Sequence, residues 1–226
     1  MKLRWFSAET MAEFNAQYPN RKPDPEKHFA MPWLSDSGND FGLGDTRTNQ
    51  KKLDHFLTLQ TEVLEEDEHD CFFLVGDWTS GGYLIKYNKQ DKLIYYYCKF
   101  DVAPPTKLFP HIVTQVEVWR AQTQVGGMAR KFLFEFLFPR FGAIQSDRIH
   151  TERGKEFWKS ILGTAQQLRL GIAVVIQGQI HLKHPDSSLH AFIDEVDTWH
   201  KGPEHKQADM EIQFLIFDPK YLEGLQ

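Results

Sequence analysis

The stretch Gln124-Val-Gly-Gly-Met-Ala129 constrains this chain more than any other. It lies between a strand-like run, Ile112 to Trp119, and an apolar helical run, roughly Met128 to Phe138. A strand that feeds a glycine turn that opens a helix leaves the first N–H groups of that helix without carbonyl partners. The helix dipole adds partial positive charge at the same end. Phosphates settle on such ends. Gly126 and Gly127 let a ligand approach the backbone closely, because no Cβ stands in the way. The spacing is neither G-x-G-x-x-G nor G-x-x-x-x-G-K-[ST], so neither a dinucleotide fold nor a P-loop is indicated. Charge points the same way: Arg120 to Arg169 holds nine basic and four acidic residues, inside a chain whose net charge is -5. A basic segment in an acidic protein suits a locally bound polyanion, and a solvated basic helix face is its alternative.

With 226 residues, 41% of them hydrophobic, the chain is long enough for one domain spanning 1–226. Its 18 Phe, 7 Tyr and 6 Trp can fill a sizeable core. The overall negative charge gives no reason to expect nucleic acid. No apolar run reaches the ~18 residues of a membrane span. The start, Met1-Lys-Leu-Arg-Trp-Phe6, lacks the apolar core of a signal peptide, so a cytoplasmic protein is expected. Cys71 and Cys98 sit in strand-like runs and are expected to be free buried thiols.

The patterns predict a short strand at Lys2 to Phe6, then a helix capped by Ser7 with Met11, Phe14 and Tyr18 on one face. Residues 19–50 are a long loop rich in Pro, Gly, Asn and Asp. Leu53, Phe56, Leu57, Gln60, Val63 and Leu64 predict a second helix, Lys51 to roughly Glu66, ended by the acidic run Glu65 to Asp70, read as a solvated tip. Strands follow at Cys71 to Gly76, Tyr83 to Tyr87, Leu93 to Phe100 and 112–119, the middle pair joined as a hairpin. The helix from Met128 is apolar nearly all round, carries one polar pair (Lys131 and Glu135) and is stopped by Pro139. A short strand, Gly142 to Ser146, precedes a helix from Thr151 to about Leu168. A strand at Gly171 to Gln177, an insertion at 178–210 and a last strand at Glu211 to Phe217 complete the order. Within the insertion a helical stretch runs from Ser188 to His200. An antiparallel meander followed by alternating helices and strands predicts a mixed, mostly antiparallel α/β sheet with helices on both faces.

Gln124, Gly127 and Ala129 fit Q/R-x-x-G-x-G/A, and in this context the chain resembles the GNAT-type N-acetyltransferases, whose pyrophosphate loop carries that signature. Ser146-Asp147, followed by Thr151, Gly154 and Phe157-Trp158, looks most like acetyltransferase-like proteins encoded by bacteriophages. The resemblance covers most of the chain and implies a GNAT-like acyl-coenzyme A N-acyltransferase fold. It also implies acetyl-coenzyme A as cofactor, an amine acceptor on a protein or small molecule, and, for a phage protein, the host cytoplasm. It places the cofactor on Gln124, Val125, Gly126, Gly127, Met128, Ala129 and Arg130, with Val118, Trp119 and Phe157 as an apolar wall for the pantetheine arm. Acetyl transfer to an amine needs a base for the amine proton and an acid for the departing thiolate. Glu117 stands where family members that use a base often keep a glutamate; a solvent-facing strand acid is the other reading. Where the family usually offers a tyrosine as acid, this chain has Trp158, which cannot donate as a phenol does, with Ser160 as a poor substitute. That departure sets a second expectation beside the enzyme: a GNAT-fold protein that acts by docking onto another protein. His181, His184 and His190 cluster with Asp186 at spacing only loosely like a ligand set, and are read as part of a surface insertion, with no metal expected.

Overall fold

Alternating apolar residues between positions 61 and 120 fold into an antiparallel meander. The computed structural model describes residues 4–17, 43–120, 127–147, 152–196 and 212–223. Among the described residues the protein is mixed α/β with ten strands. It divides into two compact units, one formed by Met1–Ala30, Thr106–Pro110 and Gly142–Gln226, the other by Met31–Pro105 and His111–Phe141.

The meander unit contains α2 (Thr46–Leu57), β2 (Thr61–Glu66), β3 (Asp70–Asp77), β4 (Gly81–Asn88), β5 (Leu93–Ala103) and β6 (Ile112–Arg120). The strands pair in sequence order, every neighbour antiparallel. Period-two alternation sends Cys71, Phe73 and Val75 to one face, where Leu53 of α2 is buried with them. It sends Phe72, Tyr96 and Phe100 to the other, all buried. A continuous helix covers that second face, in three pieces: α3 (Met128–Lys131), a π-helical stretch (Phe132–Leu137) and α4 (Phe138–Phe141). Phe132 stacks on Phe72 at 4.2 Å between centroids, and its edge meets Tyr96 at 4.4 Å.

Three sequence expectations are corrected in this unit. The second helix starts earlier, at Thr46, where the Asp45 carboxylate accepts from the Thr48 N–H at 2.8 Å, and it ends at Leu57. Gln60, Val63 and Leu64 fit a helical period, yet Thr61–Glu66 pairs with β3, because the ladder outweighs local periodicity. The acidic run is therefore the β2–β3 turn, with His69 N–H and Asp70 N–H donating to the Asp67 carboxylate. Pro139 does not stop its helix, which runs on to Phe141. The π turn before it bonds Phe138 N–H to Leu133 O, five residues back, and this wider winding accommodates a ring that would crowd an α turn.

The terminal unit contains β1 (Arg4–Trp5), α1 (Ala8–Gln17), β7 (Ala143–Gln145), α5 (Glu152–Gln167), β8 (Gly171–Ile176), β9 (Gln179–Leu182), α6 (Leu189–Val196), β10 (Ile212–Phe217) and a 3-10 turn, Pro219–Leu222. Its strand order is β1-β9-β8-β10-β7, with β1 parallel to β9 and the other pairs antiparallel. The last strand thus inserts between β7 and β8, and all six of its residues are buried. Phe192 of α6 meets Phe214 on one side of it, and Phe109 meets Phe217 on the other. Gln179–Leu182, expected inside a surface insertion, is a sheet strand. The helix after it is described to Val196, and His200 and His205 lie outside the described residues. Tyr18 and the loop up to residue 42 lie outside them as well.

Buried Ser146 and Asn49 are tied down by hydrogen bonds. Ser146 closes the end of β7 on β10: its N–H donates to Phe214 O at 2.9 Å and its Oγ accepts from Phe214 N–H at 2.9 Å. Asn49, 3% exposed, lies against the start of β5. Its Nδ2 donates to Leu43 O at 2.8 Å and Ile94 O at 3.0 Å, and its Oδ1 accepts from Ile94 N–H at 2.7 Å. Replacing Asn49 by Ala strands a buried N–H and leaves two carbonyls short, so Asn49→Ala is expected to cost about 2–4 kcal/mol. Urea denaturation measures it; a loss below about 0.5 kcal/mol contradicts the clamp.

Candidate functional site

The glycine turn is described from Gly127 onward; Gln124, Val125 and Gly126 lie outside the described residues. Gly127 has φ +82° and caps the helix without a side-chain bond. That left-handed conformation costs other residues through contact of Cβ with the carbonyl, which explains a glycine here. Among the described residues, a Cβ built on it would meet no atom within 4 Å. Its carbonyl accepts the Lys131 N–H at 3.0 Å, the first intrahelical bond. Met128 turns inward and is buried, Ala129 is half-buried, and Arg130 is exposed. Phe132 and Leu133 are buried, and Phe132 fastens the helix to the sheet.

The strand leading to the turn is set by pairing with β5, in the register Cys98 with Val118, Tyr97 with Trp119 and Lys99 with Glu117. Val118 is half-buried. For Glu117 and Trp119 the description stops at the backbone. The expected wall and acid residues of the terminal unit lie on α5. There Phe157 is half-buried against Trp158, with centroids 5.6 Å apart, and Ser160 is exposed, its carbonyl accepting from Thr164 Oγ1 at 3.1 Å. Trp158 is only 2% exposed. A phenol is absent there, and the indole in its place belongs to the core.

Sequence reasoning missed a charged recess of the meander unit next to α3. It is a cavity of about 300 Å³ lined by Glu65, Glu66, Asp67, Asp70, Lys86 and Lys131, with Phe72 and Met128 at its apolar side. Lys131 bonds Glu65 rather than the expected Glu135, Lys86 bonds Asp70 at 2.8 Å, and Lys89 bonds Glu66 at 2.6 Å. The acidic run is thus an ion-paired hairpin end. These half-exposed pairs each contribute about 0–1 kcal/mol. The signal was there in part: Lys86 and Lys89 sit in β4 and its turn, but only the pairing of β3 with β4 brings them beside Asp70 and Glu66.

Both cysteines are free and buried. Burial pushes the Cys98 thiol up to about 12. Burial, and then the Glu66 charge, raises Cys71. Neither is a thiolate at neutral pH, so neither is poised as a nucleophile. Among the described residues no group of three or more His, Cys, Asp or Glu side chains is arranged to hold a metal ion. His181 is buried in β9, against the expectation of a surface insertion, while His184 accepts from the Asp186 N–H at 3.2 Å and His190 pairs with Asp194 at 3.1 Å. Among the described residues no helix is long and apolar enough to cross a membrane.

No protein-family model matches the chain, and no curated protein matches it. Function therefore rests on the residues themselves.

The positive φ gives a direct check on the turn. Gly127→Ala is expected to lose about 1 kcal/mol, and Gly127→Asn less, because asparagine tolerates the left-handed region. Thermal or urea unfolding of the two variants decides it; equal stability of wild type and Gly127→Ala rules out the strained turn.

Proposed function

We propose that this chain is an acetyl-coenzyme A-dependent N-acetyltransferase of the GNAT type, with the cofactor's pyrophosphate on the 124–129 turn. The observation that carries the reading is Gly127 at φ +82°, opening a helix fastened to a sheet through Phe132, with no described atom within 4 Å of where a Cβ on Gly127 would stand. The order β6, glycine turn, α3 to α4, β7, α5, β8 supports it, being the order that the resemblance implies. The turn fits a pyrophosphate: backbone N–H groups at a helix start, no side chain among the described residues within 4 Å of a Cβ on Gly127, and a guanidinium, Arg130, in the same turn. Bound there, the cofactor supplies an acyl thioester. Met128, Ala129 and Arg130 then hold its phosphates by their N–H groups, and Val118 and Trp119 border its arm. Glu117 takes the proton of the acceptor amine.

Trp158 favours a second reading. An indole buried at 2% exposure does not reprotonate a thiolate, which suits a GNAT-fold protein that binds a partner protein and turns nothing over. Turnover of acetyl-coenzyme A with a panel of amines separates the two, since the docking protein consumes none.

Calorimetric titration with acetyl-coenzyme A is expected to show one site, whose affinity falls as salt is raised through ~0.15 M ionic strength. Gly127→Glu puts a carboxylate over the turn and is expected to abolish this binding with the far-UV circular dichroism intact; unchanged affinity removes the turn as the site.

Glu117→Gln is expected to lower acetyl transfer about 10²–10⁴-fold while leaving cofactor affinity unchanged, the size of one acid–base contribution. Unaltered transfer dismisses Glu117 as the base.

A further inference from the structure

His181 stands out in the terminal unit. It is 5% exposed, and among the described residues its Nδ1 is buried with no hydrogen-bond partner. It occupies β9 between Val174 of β8 and Arg4 of β1, its partners across the two ladders. A parallel rung sets the two side chains on one face of the sheet, so Arg4 brings a cation beside the imidazole. Glu13 of α1 is the opposing charge. β8 carries no titratable residue. On α6, which packs against α1, His190, Asp194 and Glu195 are exposed, and the first two are paired with each other. His184, in the turn after β9, is engaged by Asp186 and by the edge of the Trp5 ring at 5.4 Å.

A neutral imidazole tolerates this place. A protonated one does not: among the described residues an Nδ1–H has no acceptor, Nδ1 is buried from water, and Arg4 repels the added charge. The element that can yield is β1. It is two residues long, lies at the end of the unit's sheet order, and is held by two rungs, the Phe6 N–H bond to Leu182 O at 2.7 Å, the Phe6–Phe192 contact at 5.2 Å and the Trp5–His184 contact at 5.4 Å. The antiparallel ladders of β8 with β9 and β10 do not depend on it. We propose that β1 and α1 form a pH-released flap, latched on the edge of β9 while His181 is neutral and let go when it takes a proton.

Burial first, and then Arg4, holds the His181 pKa below its ordinary value of 6.5. The sign follows. The released form binds the proton at the ordinary value and the latched form only below it, so the latch is at full strength above 6.5 and weakens as pH falls under it.

Glutamyl endopeptidase tests this on the intact protein, because Glu9 and Glu13 lie exposed on α1 and the protease works at both acidic and neutral pH. Cleavage at these two sites is read by mass spectrometry and normalised to a free peptide of residues 4–17. Between about pH 7.5 and about pH 5 the normalised rate is expected to rise about tenfold, with the circular dichroism of the remaining fold retained. His181→Phe, which cannot titrate, is expected to abolish the rise. His181→Gln, smaller and polar, is expected to do the same and serves if the phenylalanine does not fold. No rise in the wild type, or an equal rise in the folded variants, overturns the flap.

Discussion

The face-to-face stack of Phe132 on Phe72, with Tyr96 closing on its edge, is the contact on which the candidate site depends. Such aromatic pairs contribute roughly 0.5–1.5 kcal/mol each beyond the area they bury. Their larger effect is geometric. Phe132 lies one turn into the helix that starts at Gly127, so seating its ring on β3 and β5 also sets where the helix begins and which way its first N–H groups point. The π-helical stretch from Phe132 to Leu137 belongs to the same arrangement, since its wider winding brings Phe136 as well as Phe132 onto Phe72. Winding of this kind is uncommon in regular helices and recurs near functional sites.

Within each unit, the described buried polar side chains are satisfied by hydrogen bonds, with one exception. Asn49 acts as a piece of strand for Ile94, and Ser146 does the same for Phe214. The Asp77 carboxylate accepts from Ser80 N–H and Ser80 Oγ, both at 2.8 Å, and from Thr79. These bonds hold its carboxyl well below the usual range, so the β3–β4 turn keeps its anchor until strongly acidic pH. His181 is the exception, a buried nitrogen with no such partner among the described residues.

Much of the fold was readable along the chain. The runs at 71–76, 83–87, 93–100, 112–119 and 171–177 are strands because β-branched and aromatic residues there alternate or cluster between turn residues. The Gln60 to Leu64 segment was not, since its apolar spacing satisfies a helix and a strand equally and only the partner β3 distinguishes them. Pro139 was misread because proline disfavours an α turn, and nothing in the sequence announces the π turn that receives it. At the site, the glycine start of the helix was legible at Gly127. The lysines that neutralise the acidic hairpin were not, because Lys131 and Glu65 are far apart in sequence and meet only when the helix docks on the sheet.

The sequence alone determined the glycine start of the helix, the apolar character of that helix, the free thiols and the alternation that makes strands, because each follows from local sterics or short-range periodicity. Tertiary structure decided which segment joins which strand, where Lys131 spends its charge, and which histidine is buried. Those outcomes depend on the register and packing of residues distant in the chain, and local preference carries no information about either.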